Sequence, residues 1–206
     1  MQIAFFVFDR FTALDVIGPY EVLTRVPDAE VRFVAPQPGP VNTEDGAFAL
    51  VARHGIEDFE DPDVVVVPGG AGKADVISDP AALAWLSRAQ ETARWTTSVC
   101  TGALILGAAG ILRGRRATTH WAFHDELAPY GAESAHERMV VDGNVVTAAG
   151  VSAGIDMALW LSAQLTDETT AQAIQLAIEY DPDPPTDAGS PANVSEEVRA
   201  LARSLS

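Results

Sequence analysis

The chain reads as an α/β domain around a largely parallel sheet, and three observations lead there. Short β-rich apolar runs alternate with longer stretches of helical periodicity. The runs are hydrophobic throughout rather than alternately polar, as strands covered on both faces must be. Turn residues punctuate them, as where Pro68-Gly69-Gly70 stops one run.

The elements follow in order. Gln2 to Phe8 is predicted as the first strand, and Pro19 to Val26 as a helix with Pro19 tolerated in its opening turn. Val31 to Ala35 and Val64 to Val67 are compact apolar strands. Asp79-Pro80 introduces a helix over Ala81 to Ala93, and Thr96 to Val99 is the next strand. Gly102 to Leu112 reads as a helix. Two apolar runs joined by Asp142-Gly143-Asn144 predict a β-hairpin within Arg138 to Thr147. Small residues after Ala148 lead into a helix through Ile155 to Leu161, and another runs near Thr169 to Glu179. Asp181-Pro-Asp-Pro-Pro and Gly189-Ser-Pro191 form a stiff linker. Beyond it Val198, Leu201, Ala202 and Leu205 share one helical face, which is expected to dock on the body or on a second subunit. The expected organisation is one domain over residues 1–180 and an appended linker and helix over 181–206.

Composition narrows the function. At 206 residues and 48% hydrophobic content the chain can bury one core. Its 29 acidic and 13 basic side chains give a net charge of −16, which repels nucleic acid and anionic lipid. No apolar run reaches the roughly 18 to 20 residues that cross a bilayer. With one cysteine and no basic leader at Met1-Gln-Ile-Ala, the expected compartment is the cytoplasm, without nucleic-acid or membrane partners.

That single cysteine, Cys100, ends the Thr96 to Val99 run and is followed by Thr101-Gly102-Ala103 at the start of a helical stretch. A thiol at a strand-to-helix turn faces the first helical amides, so a thiolate near neutral pH and a nucleophilic role are expected. The plain alternative is a small core residue. In parallel α/β sheets, sites form beyond the carboxyl ends of strands, so Asp15, Gly69-Gly70 and Cys100-Thr101 should converge. They would supply a proton handler, a possible anion cradle and a nucleophile. Asp15 is also read as a helix cap, and Gly69-Gly70 as a tight turn. His120, His54, His124 and His136 show no metal-ligand spacing with Cys100, so no metal is expected.

At this point the chain resembles the PfpI/ThiJ-like superfamily, through Val67-Pro-Gly-Gly70 and Ser98-Val-Cys-Thr-Gly-Ala103. Leu14-Asp15-Val-Ile-Gly18-Pro19, Arg115-Arg-Ala-Thr-Thr-His-Trp121, Gly150-Val-Ser-Ala-Gly-Ile-Asp156 and the stretch from Leu176 to Pro191 narrow the resemblance to the isocyanide hydratase branch. The resemblance implies a flavodoxin-like sandwich with a nucleophile elbow, a homodimer, no cofactor, Cys100 as nucleophile and Asp15 as its acidic partner. Many superfamily members carry a glutamate near the nucleophile and a histidine directly after it. Here the carboxyl group is Asp15 and Thr101 follows Cys100. That departure disfavours glyoxalase and deglycase activity, one of two alternatives. The other is a ligand- or redox-sensing regulator, which the missing DNA-binding module disfavours.

An isocyanide suits this pair, since its terminal carbon accepts a soft thiolate and a nearby carboxyl group can move the protons. Thr101, Gly69 and Gly70 are expected to support the centre, and Gly150, Val151, His120 and Trp121 to line the substrate pocket. His120 is read as hydrogen-bonded support rather than as catalyst.

Overall fold

The computed structural model describes residues 1–59 and 61–205. The expected α/β architecture is present. Seven strands form the main sheet: β1 (Gln2–Phe6), β2 (Glu30–Ala35), β5 (His54–Gly55), β6 (Val64–Val67), β7 (Trp95–Val99), β10 (Met139–Asp142) and β11 (Val145–Ala148). Their spatial order is β10-β11-β7-β6-β1-β2-β5. Every pairing is parallel except β10 with β11, the hairpin signalled by Asp142-Gly143-Asn144. Register places Ile3 beside Val31 and Val64, and Val67 beside Ser98.

Neighbouring phenylalanines show why β1 is apolar without alternation. Successive side chains on a strand point to opposite faces. Phe5 packs edge-on against Tyr20 and Phe33, whereas Phe6 stacks on Trp85 at 5.6 Å. Both are fully buried, so helices cover both faces. Burying each aromatic ring contributes about 1.5–3 kcal/mol.

The helices are α1 (Ala13–Leu23), α2 (Lys73–Ile77), α3 (Pro80–Thr92), α4 (Gly102–Ala108), α5 (Ala153–Leu165), α6 (Glu168–Ala177) and α7 (Glu196–Ser204). The first helix corrects the expectation. It begins at Ala13, and Pro19 lies in its interior rather than its opening turn. Pro19 offers no N–H to the Asp15 carbonyl four residues back, but packing holds the helix regardless. A Cβ on Gly18 would meet Ile155 at 2.9 Å, and one on Gly154 would meet Pro19 at 3.0 Å, so α1 and α5 approach through their smallest residues. The α4 helix also ends earlier than predicted, because Gly110 takes a left-handed conformation with φ of +80° two residues beyond it.

Two small ribbons were not predicted. An antiparallel pair joins β3 (Gly39–Asn42) to β4 (Ala49–Ala52), and a short parallel pair joins β8 (Arg116–Ala117) to β9 (Glu133–Ser134). The first carries Glu44 on its loop, and the second frames the loop of His120 and Trp121.

Residues 181–195 form no α-helix or strand, and α7 has no buried residue. The stretch is anchored where it leaves α6. There Tyr180 donates to Asp156 Oδ1 at 2.7 Å, and Arg138 pairs with the same carboxylate. Farther on, the Arg203 guanidinium lies 5.1 Å from the centre of the Trp121 ring.

Candidate active site

The carboxyl ends of β1, β6 and β7 lie side by side in the sheet, so the turns that follow them meet. The first turn leads to α1, and Asp15 sits in that helix's opening turn with its side chain fully buried. It does not cap the helix. Its Oδ2 accepts instead from the Gly69 amide at 2.8 Å, across 54 residues of sequence. Its other oxygen, Oδ1, is also buried. Burial pushes this carboxyl up to about 7, assisted by the charge of Glu44 and opposed by the hydrogen bonds from the Gly69 amide and the Cys100 thiol.

The third turn carries Cys100. Its φ is +56°, a left-handed conformation that is costly for any residue with a Cβ. The surroundings enforce it. The Cys100 amide donates to the carbonyls of Ala148 and Ala149 at 3.1 and 2.9 Å, and its carbonyl accepts from Thr119 Oγ1 at 2.9 Å. The thiol is 6% exposed and accepts from the amides of Val151 and Thr101. Val151 also holds a positive φ, of +33°.

Those two amides favour a thiolate, as expected of a helix start, but they do not prevail. Burial first, and then the Asp15 charge, push the thiol up to about 12. The thiolate expected near neutral pH is therefore not the resting form. Burial is the first cause for both groups; the Asp15 charge pushes the thiol up further, whereas the hydrogen bond from Cys100 pulls Asp15 down, so the pair holds a proton rather than two negative charges.

The middle turn corrects another expectation. Gly69 and Gly70 form no open anion cradle, because the Gly69 amide is committed to Asp15 and the Gly70 amide to Thr101 Oγ1 at 3.1 Å. Their role is close approach. A Cβ on Gly69 would fall 2.5 Å from Thr101 Oγ1 and 3.0 Å from Asp15 Oδ2.

Beside this centre lies a chamber of about 540 Å³, bordered by Thr119, Gly150 and Val151 on the cysteine side and by His120 and Trp121 farther out. Gly150 gives His120 room: a Cβ there would meet the imidazole Cδ2 at 2.6 Å. His120 has no carboxylate partner among the described residues, and burial pushes its imidazole below the usual value, so it sits neutral at pH 7. A smaller cavity of about 250 Å³, between Phe8, Pro36, Val41 and Asp75, is lined by none of these site residues. Among the described residues no group of three or more His, Cys, Asp or Glu is arranged to hold a metal ion.

Sequence reasoning missed Glu44, and it placed Thr119 only in the substrate loop, not on the Cys100 carbonyl. Glu44 accepts from Ala71 N at 2.7 Å and from Thr12 Oγ1 at 3.3 Å, which brings its charge to bear on both Asp15 and Cys100. It sits in the loop of the unpredicted β3–β4 ribbon, and no sequence signal marked it. Thr119 was legible from the Arg115 to Trp121 motif as part of the loop expected to meet the substrate.

A buried thiol on a strained strand-to-helix turn, set against a buried carboxyl group at the carboxyl edge of a parallel sheet, defines an α/β protein of the nucleophile-elbow class. The chain belongs to the DJ-1/PfpI family, which matches residues 1–164. It is 45% identical over 203 residues to an isonitrile hydratase of Pseudomonas putida, covering 98% of this chain and 89% of that protein. The crystal structure of a ThiJ/PfpI family protein from Pseudomonas syringae superposes with a TM-score of 0.95 at 40% identity, covering 99% of this chain and 85% of the other. Similarity to the deglycase PfpI of Pyrococcus furiosus is lower, 28% over 148 residues, covering 71% of this chain and 89% of that one.

Proposed function

We propose that this chain is a cofactor-independent isocyanide hydratase that works through a thioimidate on Cys100. The observation that carries the mechanism is the paired burial of Asp15 and Cys100, with the carboxyl group fixed by the Gly69 amide on one side and hydrogen-bonded by the thiol on the other. The likeness to the isonitrile hydratase over nearly the whole chain supports the choice of substrate.

The chemistry runs in two halves. Cys100 Sγ bonds to the terminal isocyanide carbon while its proton passes to Asp15 and on to that same carbon, giving Cys–S–CH=N–R. Because the thiol proton leaves as the C–S bond forms, no free thiolate need persist in the resting site. Asp15 then takes a proton from water as the water adds to the thioimidate carbon, and delivers it to nitrogen. Loss of the sulfur expels HC(=O)–NH–R, and the proton released from the former water oxygen restores the thiol. The net change is one isocyanide and one water to one N-substituted formamide.

Thr101 acts through its amide on sulfur and through its hydroxyl oxygen, which holds Gly70. Gly150 and Val151 border the chamber that would take the substituent, with His120 and Trp121 on its outer side. The reading includes a cytoplasmic homodimer with no nucleic-acid or membrane partner. Among the described residues no helix is long and apolar enough to cross a membrane.

The test is to mix the purified protein with a simple aryl isocyanide and follow its infrared stretch alongside formamide by chromatography. Loss of the stretch with formamide formation that depends on Cys100 is expected. No consumption beyond a protein-free control across several isocyanides would sink the reading.

A further inference from the structure

Three of the chain's four histidines, His120, His124 and His136, line the chamber beside the nucleophile, although they are scattered in sequence. In a protein of net charge −16 this gathers nitrogen donors where an anion would otherwise be repelled. The one acid on the wall, Glu137, is already paired with Arg116, and Arg138 is held by Asp156. Opposite them the C-terminal stretch closes the chamber with Gly189, Ser190, Pro191 and Ala192, an uncharged piece of an otherwise acidic linker.

The deepest imidazole is fixed. His124 is 9% exposed, its Nδ1 lies 2.9 Å from Ser134 Oγ, and its ring lies against that of His136, tilted by 32° with 4.0 Å between centroids. Nε2 of His124 makes no further hydrogen bond among the described residues, so this atom is available to a ligand. The neighbouring imidazole disfavours charge on His124, but a proton placed there can be held by an anion bound against it. His120 lines the same chamber, its ring against Gly150.

We infer that the chamber receives a carboxylate carried on the isocyanide's substituent, held by His124 and His136 while the isocyanide carbon reaches Cys100. The inference rests on the hydratase reading and specifies its substrate class. The groups that set the charge of His124 are His136 and His120, which disfavour its protonation, and Asp125, which favours it. Glu137 and Arg138 also border the chamber. Burial acts first and pushes His124 below its usual value, so the empty chamber is neutral at His124 at pH 7 and gains its charge with the bound anion.

The experiment compares 4-isocyanobenzoate with its methyl ester, as kcat/KM at about pH 6 and about pH 8. In parallel, calorimetric titration of 4-formamidobenzoate and its ester needs no turnover. The acid should be preferred about tenfold near pH 6, the size of one charge-assisted hydrogen bond, and the preference should shrink as pH rises. His124→Gln should abolish the preference chiefly through the acid's KM. His136→Gln, at an exposed position where folding is not at stake, should reduce it in the same way. Equal or better handling of the ester at both pH values, or a preference that survives the His136→Gln change intact, would overturn the inference. If formamidobenzoate binds with this pH dependence while neither isocyanide is consumed, the subsite stands and the hydratase reading falls. If both isocyanides are consumed equally well, the hydratase reading stands and the subsite falls.

Discussion

At the elbow, Cys100 is 6% exposed, and its backbone and thiol are held by Thr119 and by the segment from Ala148 to Val151. In the C-terminal helix no residue is buried, and Leu205 is 80% exposed. Both regions follow from short local patterns, a strand-to-helix turn in one case and an apolar stripe at helical spacing in the other. The difference lies in what fixes them. The elbow keeps a backbone conformation that its own residues disfavour, because burial and hydrogen bonds over-determine it. The tail rests on its own helix, on the Tyr180 anchor, on the Arg203 contact and on the wall it gives the chamber at Gly189 to Ala192. A substitution at the elbow should therefore be felt in chemistry and stability together, and one on α7 in neither.

The largest effect expected is that of Cys100→Ala, which should end isocyanide consumption, measured by formamide yield, while the circular dichroism spectrum stays native. Cys100→Gly should be equally inactive but more stable than the alanine variant by about 1 kcal/mol in denaturant melts, because glycine releases the left-handed strain. Equal stability of the two would show that the elbow carries no strain.

Next comes Asp15→Asn. The amide keeps an acceptor for Gly69 but cannot shuttle protons, so kcat should fall by about 10²- to 10⁴-fold with the fold intact. The same variant tests linkage. Asp15 is raised from 3.8 to about 7 in the folded protein, so the stability tied to its proton is fully present below about 3.8 and is lost as pH rises through about 7. Thermal melting should therefore move in favour of Asp15→Asn over the natural chain as pH goes from about 4 to about 8. A constant difference would remove the burial of that carboxyl from the account.

Gly69→Ala should come third. Its new methyl group would press on Thr101 and Asp15, so a loss of about 1–3 kcal/mol and a fall in rate are expected in melts and assays. The smallest effect belongs to Leu201→Glu on α7, within about 0.5 kcal/mol for a 61% exposed side chain. A large destabilisation there, or a change in mass by light scattering, would break the contrast by showing that a second copy covers this face.

Legibility in the sequence followed the range of the interactions. The strands β1, β2, β6 and β7, and the hairpin at Asp142-Gly143-Asn144, could be read because apolar runs and turn residues act locally. The start of α1 was misread because Pro19 carries a strong local signal that tertiary packing at Gly18 and Gly154 overrides. The β3–β4 ribbon escaped notice because it is short and half exposed, and with it went Glu44. At the site, Cys100 and Asp15 were nameable from the strand-end rule and the motif resemblance. The state of the thiol was not, since a helix start argues for a lowered value and only burial beside a second acid reverses it.

By itself, the sequence determined the layered α/β plan, the position of a thiol on a turn after a central strand, and a net charge of −16. These depend on periodicity, residue type and net charge, which act within a few residues or as plain sums. Only the tertiary structure decided that Gly69 fixes Asp15, that burial raises both the acid and the thiol, and that three dispersed histidines share one chamber. Those outcomes depend on which atoms lie within a few ångströms after distant segments meet, and on how much water that meeting excludes.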